Sequence, residues 1–467
     1  MTVAVAEEIE LETASLPVNA SDDSASKRRL FTAMLLLPLL FFAVHGFFSL
    51  MGDGDQSVAM SQATVMKATS HQRGIFGAVI LPGIAYGVVL WALLTNYRGV
   101  LQMTVERKLF TFLAFLTMAS ALWSQDPVRS FYSGGFYLIG TLFAYYLVLR
   151  FSSEEIMGLM MRLGVLVVLL DLVMVFVFPH WGVSNSDPRT LGAWNGIFED
   201  RVTSAKTTVF LLSPALIFTA ARSRWRNVIY AIALLAVIVM AKAVTALGVV
   251  FAFAAIMTMV QLSRRLERKT ALFFGSIVGV VAVTFFLFGD TLIAPVLALF
   301  GRDMSLTGRT EIWALLFDSI AKHPTLGYGY YAFWQGMEGE SGNVITAAHW
   351  FFGYAHNGLL EIVLQLGLFG TTIFLATLVM ALKNAWFCFK YGRTAGIEWY
   401  FGVLVLSLLY NVDEETVMWP NDLLSILYIV ACCGLAVEAK RIRTEQFALH
   451  AASLSQSDPY APLELAA

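Results

Sequence analysis

Three short runs between positions 307 and 358 combine residue types that could handle an anionic substrate: Thr307-Gly308-Arg309, His323-Pro-Thr-Leu-Gly-Tyr-Gly329 and Ala355-His356-Asn357-Gly358. Arg309 stands where a helical spacing begins, with Ile312, Leu315, Leu316 and Ile320 falling on one face. Pro324 closes that helix. A helix start offers free backbone N–H groups and a positive dipole end, and an arginine there can grip a phosphate in a bidentate fork. A surface arginine paired with Glu311 or Asp303 is the plainer alternative. His356 opens the apolar segment Gly358–Gly370. An imidazole at a membrane edge can take a proton or donate a hydrogen bond, and it can equally cap a helix. Around these groups lie Tyr328, Tyr330, Tyr331, Phe333, Trp334, Trp350, Phe351, Phe352 and Tyr354. Such rings stack on sugars or form an interfacial belt at lipid headgroups. Further cations precede them: Arg201, Lys206 and Lys242 could join Arg309 in a basic cavity, or Lys206 and Lys242 could snorkel to the interface. Asp171 and the run Asp413-Glu414-Glu415 could pair with those cations, and Asp171 alone could mark a proton path.

These residues are carried by a chain that is mostly lipid-soluble. It has 467 residues, 58% of them hydrophobic and 14% charged, and its mean hydropathy is +0.70. Soluble domains carry about 25% charged residues, so a polytopic all-α membrane protein is expected. The net charge of −2 argues against a nucleic-acid binder. Cys388, Cys432 and Cys433 sit in apolar runs and imply no disulfide framework or zinc set.

A span needs about 20 apolar residues. The sequence predicts about twelve: 30–50, 75–94, 109–123, 131–149, 157–179, 203–221, 227–241, 245–262, 270–288, 366–389, 398–411 and 421–437. A tight turn is expected at Ala241-Lys242-Ala243. With the N-terminus in the cytoplasm, 21 of the 31 basic residues fall in cytoplasmic segments, the pattern that sets orientation. The expected organisation is an acidic disordered tail over 1–26, a nine-span bundle over 27–288, a large outward loop with short helices over 289–365, three spans over 366–437 and a second cytoplasmic tail over 438–467.

Thr-Gly-Arg with Trp313, then His323-Pro-x-Leu-Gly-x-Gly329, His356-Asn357 and Gly367-Leu-Phe-Gly370, resembles the O-antigen ligase/polymerase superfamily, and within it the ExoQ-type exopolysaccharide polymerases. Trp123-Ser-Gln-Asp-Pro127 with Ser130 resembles a further motif of those proteins. Where members carry a Gly-x-Phe-x-His-Lys-Asn segment, this chain reads Gly196-Ile-Phe-Glu-Asp-Arg-Val202, so Arg201 keeps a cation but the histidine and asparagine are replaced.

The resemblance implies a GT-C-like glycosyltransferase of the bacterial inner membrane with both termini cytoplasmic, needing no metal, nucleotide sugar or other cofactor. It would polymerise undecaprenyl-diphosphate-linked oligosaccharide on the periplasmic face, within the lipid bilayer and beside chain-length regulator and export proteins. On that reading His356 and Arg309 are catalytic. Arg309, Arg201, Lys206 and Lys242 bind the diphosphate, and Trp313, Tyr330, Trp334 and Trp350 bind sugar. The alternatives are an O-antigen ligase moving polymer onto lipid A-core, with the same chemistry, and a transporter or flippase.

Overall fold

The computed structural model describes residues 31–44, 80–185, 190–217, 224–263, 309–349, 352–392, 394–412 and 414–457. Among these the chain is helical throughout, with no strand beyond one isolated antiparallel bridge between Val183 and Trp194. Runs of Leu, Val, Ile, Phe and Ala leave the backbone no water to bind, so its polar groups pair within the helix. The helices are α1 Leu36–Ala43, α2 Leu81–Thr95, α3 Tyr97–Glu106, α4 Lys108–Ala119, α5 Pro127–Arg150, α6 Ser153–Val177, α7 Pro179–Gly182, α8 Arg201–Ile217, α9 Arg224–Met240, α10 Val244–Ser263, α11 Arg309–Lys322, α12 Gly339–Ala348, α13 Gly358–Tyr391, α14 Ala395–Asn411 and α15 Leu423–Ser457.

Five of them, α5, α6, α10, α13 and α15, are long and apolar enough to cross a bilayer. The pair α2 and α3, bent by 84° at Asn96, would make a sixth. The protein is therefore a polytopic helical membrane protein. Helices lie at eleven of the twelve predicted spans, and 270–288 falls outside the described residues, as do 1–26 and 289–308. Several of the eleven are shorter than a full crossing, including α4, α9 and α14. The helix α8, predicted as a span over 203–221, is buried along nearly its whole length, which places it at the centre of the bundle. Large apolar side chains such as Leu90, Phe176, Phe251 and Trp386 are exposed on the outer helix faces, where lipid rather than water is the natural solvent. At the centre, α15 packs against α5, α13 and α14.

The helix α15 runs on to Ser457, through the first part of the segment expected as the second tail. The helix α13 begins at Gly358, where the Asn357 side chain accepts from the N–H groups of Leu359 and Leu360. The turn at 241–243 is present, with Lys242 in the left-handed region at φ 51°.

What looks like one helix in α13 is two. Gly367, at φ 62° and ψ −170°, breaks it. The break removes the helical bonds that Leu368 and Phe369 would make to Leu364 and Gln365, leaving two N–H groups and two carbonyls without partners. The loop 324–329 supplies all four: Leu368 N–H donates to Pro324 O (2.8 Å) and Phe369 N–H to Thr325 O (3.1 Å), while Tyr328 and Gly329 N–H donate to Leu364 O (2.8 Å) and Gln365 O (3.0 Å). The backbones come so close that side chains are excluded. A Cβ on Gly367 would lie 2.2 Å from Thr325 O, and one on Gly327, also left-handed, 2.5 Å from Leu364 O. Gly367→Ala combines a left-handed backbone with this overlap and should cost at least about 2 kcal/mol, read as a lower unfolding midpoint in detergent. Gly83→Ala, where an added methyl meets nothing within 4 Å, should leave that midpoint unchanged or slightly higher.

Candidate active site

The docked loop is held from a second side by the run Trp123–Pro127. Asp126 caps α5 by accepting from Arg129 N–H (3.0 Å), and Pro127 takes the first helical position. The corner so formed reads the loop backbone. Trp123 Nε1–H donates to Leu326 O (2.9 Å), Gln125 N–H to Tyr328 O (3.1 Å) and Gln125 Nε2 to Ala332 O (2.6 Å). Arg129 donates to Trp334 O (2.7 Å), Ser130 Oγ to Tyr330 O (2.8 Å), and Ser120 Oγ accepts from Tyr330 N–H (2.8 Å). The loop that follows His323 is thus hydrogen-bonded both to the run at 123–130 and to the break in α13, each far from it in the sequence.

Above the break, Glu361 gathers three donors: Trp334 Nε1–H (2.9 Å), Gln365 Nε2 (2.9 Å) and the N–H of Ala355 (2.8 Å). This ties down the residue before His356, and the Asn357 cap ties down the residue after it. Asn357 also donates to Val412 O at 3.3 Å. His356 itself is left-handed, φ 49°. Its ring lies 4.0 Å from that of Tyr354, and its Nδ1 lies 3.7 Å from Glu414 Oε1.

Glu414 belongs to the connection between α14 and α15, which carries the remaining groups. The connection is pinned by Thr416 N–H to Asn411 Oδ1 (3.2 Å), Ser425 Oγ to Thr416 O (3.0 Å), Trp419 N–H to Ser425 Oγ (2.8 Å) and Tyr330 OH to Met418 O. Lys206, only 6% exposed, reaches it from α8. Its ammonium donates to Glu415 O (3.2 Å) and lies 5.9 Å from the centre of the Trp419 ring. Trp419 is flanked by Tyr331 at 5.7 Å and Tyr354 at 6.2 Å. His356, Tyr354, Trp419, Tyr331, Lys206, Glu414 and Glu415 therefore form one constellation drawn from four chain segments. Six non-glycine residues among those described have left-handed backbones, and four of them, Tyr331, His356, Met418 and Asn421, belong to the segments that build it. Such strain costs about 1–3 kcal/mol per residue and concentrates at functional sites.

The Glu415 carboxyl is 3% exposed. Burial pushes its pKa well above the usual carboxylate range, the nearby Glu361 adds to this, and Lys206 opposes it.

The residues singled out from the sequence meet different fates. Lys206 and His356 are brought together. Arg201 and Lys242 form a neighbouring pair: the guanidinium donates to Lys242 O (3.0 Å) and the Lys242 ammonium to Leu191 O (2.7 Å). Asp200 caps α8, accepting from Val202 and Thr203 N–H. Asp171 accepts from Ile197 N–H (2.9 Å) and so anchors the turn that leads into α8. Arg309 begins α11, but its side chain lies outside the described residues, as does Trp350. Trp313 is half-buried and donates through Nε1–H to Ala355 O (3.0 Å). Tyr330 and Trp334, read from the sequence as sugar-binding, are 0% and 8% exposed. Their rings are packed into the protein. The half-buried rings beside His356 are instead Tyr331, Tyr354 and Trp419. Trp419 was not singled out from the sequence. Its only local signal was a tryptophan following three acids in a short connection between apolar helices.

Two stability changes follow. Glu361→Leu leaves three buried donors unpaired and should cost about 3 kcal/mol or more, with a matching fall in unfolding midpoint, whereas Glu361→Gln keeps part of the network and should fall less. Burial disfavours the charged form of Glu415 in the folded protein but not in the unfolded chain. Its contribution is therefore present at low pH and is lost as pH rises toward the raised pKa. Wild-type midpoints should decline as pH rises above the ordinary carboxyl range, and Glu415→Gln should flatten that decline.

Comparison with known proteins identifies residues 228–375 as matching the O-antigen ligase family. The match runs from α9 into α13 and includes Arg309 and His356, but neither Lys206 nor the connection between α14 and α15. A curated relative, the exopolysaccharide production protein ExoQ of Rhizobium meliloti (strain 1021), is 28% identical over 205 residues, 42% of this chain and 45% of ExoQ. The chain thus aligns with less than half the length of that relative.

Proposed function

We propose, from the partial matches to the O-antigen ligase family and to ExoQ, that the chain is a glycosyltransferase of the bacterial inner membrane, working at the periplasmic face with both termini in the cytoplasm. On this reading it has about twelve spans in a GT-C-like arrangement. It polymerises oligosaccharide repeats carried on undecaprenyl diphosphate into exopolysaccharide, without a metal or nucleotide sugar. The observation that carries the proposal is the placing of one histidine, beside a carboxylate, a buried lysine and half-buried aromatic rings, at the end of an apolar helical bundle.

In the proposed reaction a hydroxyl of the acceptor sugar attacks the anomeric carbon of the donor. The new carbon–oxygen bond forms as the bond from that carbon to the diphosphate oxygen breaks. His356 takes the hydroxyl proton, and attack from the opposite ring face inverts the anomeric centre. The leaving lipid diphosphate gathers negative charge, and Arg309, Arg201, Lys206 and Lys242 are the cations assigned to neutralise it. Trp419 and Tyr354, with Trp313 and Trp350, are assigned to the sugars in place of Tyr330 and Trp334.

The ligase reading is favoured by the name of the matching family. It uses the same donor chemistry and a different acceptor. A deletion strain separates the two: loss of a polymerase leaves single lipid-linked repeats, and loss of a ligase leaves long lipid-linked chains.

Purified protein should convert a lipid-diphosphate oligosaccharide into longer products with neither metal nor nucleotide added. His356→Ala and Arg309→Ala should each lower that conversion by about 100-fold or more at unchanged protein level in the membrane. Wild-type conversion in both variants would refute the scheme.

A further inference from the structure

We propose that Glu414 is a positioning residue that holds His356 with Nδ1 turned inward and Nε2 toward the reacting sugars. The inference rests on the glycosyltransferase reading and names a residue that neither the sequence motifs nor the family match includes.

The argument begins with the orientation of the ring. The two nitrogens of an imidazole are distinct, and the partner of one decides what the other can do. Nδ1 of His356 is buried and faces Glu414 Oε1 at 3.7 Å. The side chains are 16% and 9% exposed, and because Nδ1 is itself buried, the surface that the His356 side chain keeps belongs to its other atoms. A carboxylate beside Nδ1 favours a proton on that nitrogen and a lone pair on Nε2. It also stabilises the imidazolium that forms once Nε2 has taken a proton. The separation is longer than a hydrogen bond, as catalytic pairs often are before substrate tightens them.

The surrounding groups show why this role falls to Glu414. Among the described residues, the charged and titratable groups that meet His356 are Glu414 from the connection before α15, Glu361 from α13 and Tyr354 from its own loop; Lys206, Tyr331, Glu415 and Asp422 lie in the cluster around Glu361 and Glu415. Glu361 already accepts from Trp334, Gln365 and Ala355. Lys206 donates to the backbone of Glu415, and Asp422 caps α15 through Ser425 N–H. Among the described residues, Glu414 is the carboxylate that forms an ion-pair contact with the imidazole. The chain strains itself to bring the two together, since His356 holds a left-handed backbone that a non-glycine residue seldom adopts.

The test compares Glu414→Gln with wild type in purified protein, using a lipid-diphosphate oligosaccharide as both donor and acceptor across a pH series. The variant's kcat should fall about tenfold or more while KM stays near its original value. An unchanged kcat, or a rise in KM at constant kcat, would overturn the proposal. A second measurement needs no turnover: ¹⁵N spectra of labelled histidine, with the His356 signals assigned by their loss in His356→Gln. Wild type should show His356 protonated at Nδ1, and Glu414→Gln should shift it toward the Nε2–H tautomer. The same tautomer in both proteins would refute the inference while leaving the glycosyltransferase reading intact. A wild type that shows the Nδ1–H tautomer but elongates nothing would instead count against that reading.

Discussion

A backbone group freed inside an apolar bundle has no water to turn to, and the break in α13 at Gly367 frees four of them at once. The segment Pro324–Gly329 meets all four with its own backbone. That exchange of two helical bonds for four loop bonds fixes the rest of the site. It seats the loop so that Tyr331 arrives beside Trp419, and it leaves the first half of α13 free to take its own direction. That half presents Glu361 and, just before its cap, His356.

The polar groups next to this junction form a graded series. Those far from the constellation serve structure: Asp126 and Asp200 cap helices, Asp171 anchors a turn through one oxygen, and Gln125 and Arg129 hold loop carbonyls. Nearer the centre the arrangement turns costly. Four left-handed residues, a buried lysine and a carboxyl pushed toward its neutral form lie within a few side chains of one another. Burying a lysine and acids this way is expensive unless the groups are used, which is the physical ground for treating this end of the bundle as the working one.

Much of this was legible as pattern and little of it as contact. The apolar runs predicted the helices, and the helical spacing after Arg309 predicted α11 with its stop before Pro324. The turn at Lys242 followed from a run too long for one crossing. The motifs at 123–130, 323–329 and 367–370 stood out by composition, but nothing local showed that the first holds the second and the second clasps a break made by the third. Tyr330 and Trp334 resembled sugar-binding rings because exposure cannot be read from residue type. Burial was decided by the corner at Ser120–Ser130 and by Glu361.

The sequence by itself determined the helical membrane class, since hydropathy acts along the chain within one helix length. It also determined which imidazole and which cations were candidates, because their chemistry belongs to the residue type. Only the tertiary structure decided that His356 faces Glu414, that Lys206 lies beneath Trp419, and that the connection before α15 completes the constellation. Those pairings join residues some 58 and 213 positions apart. Contacts at such separations depend on how helices pack rather than on any local pattern, so no motif could have announced them.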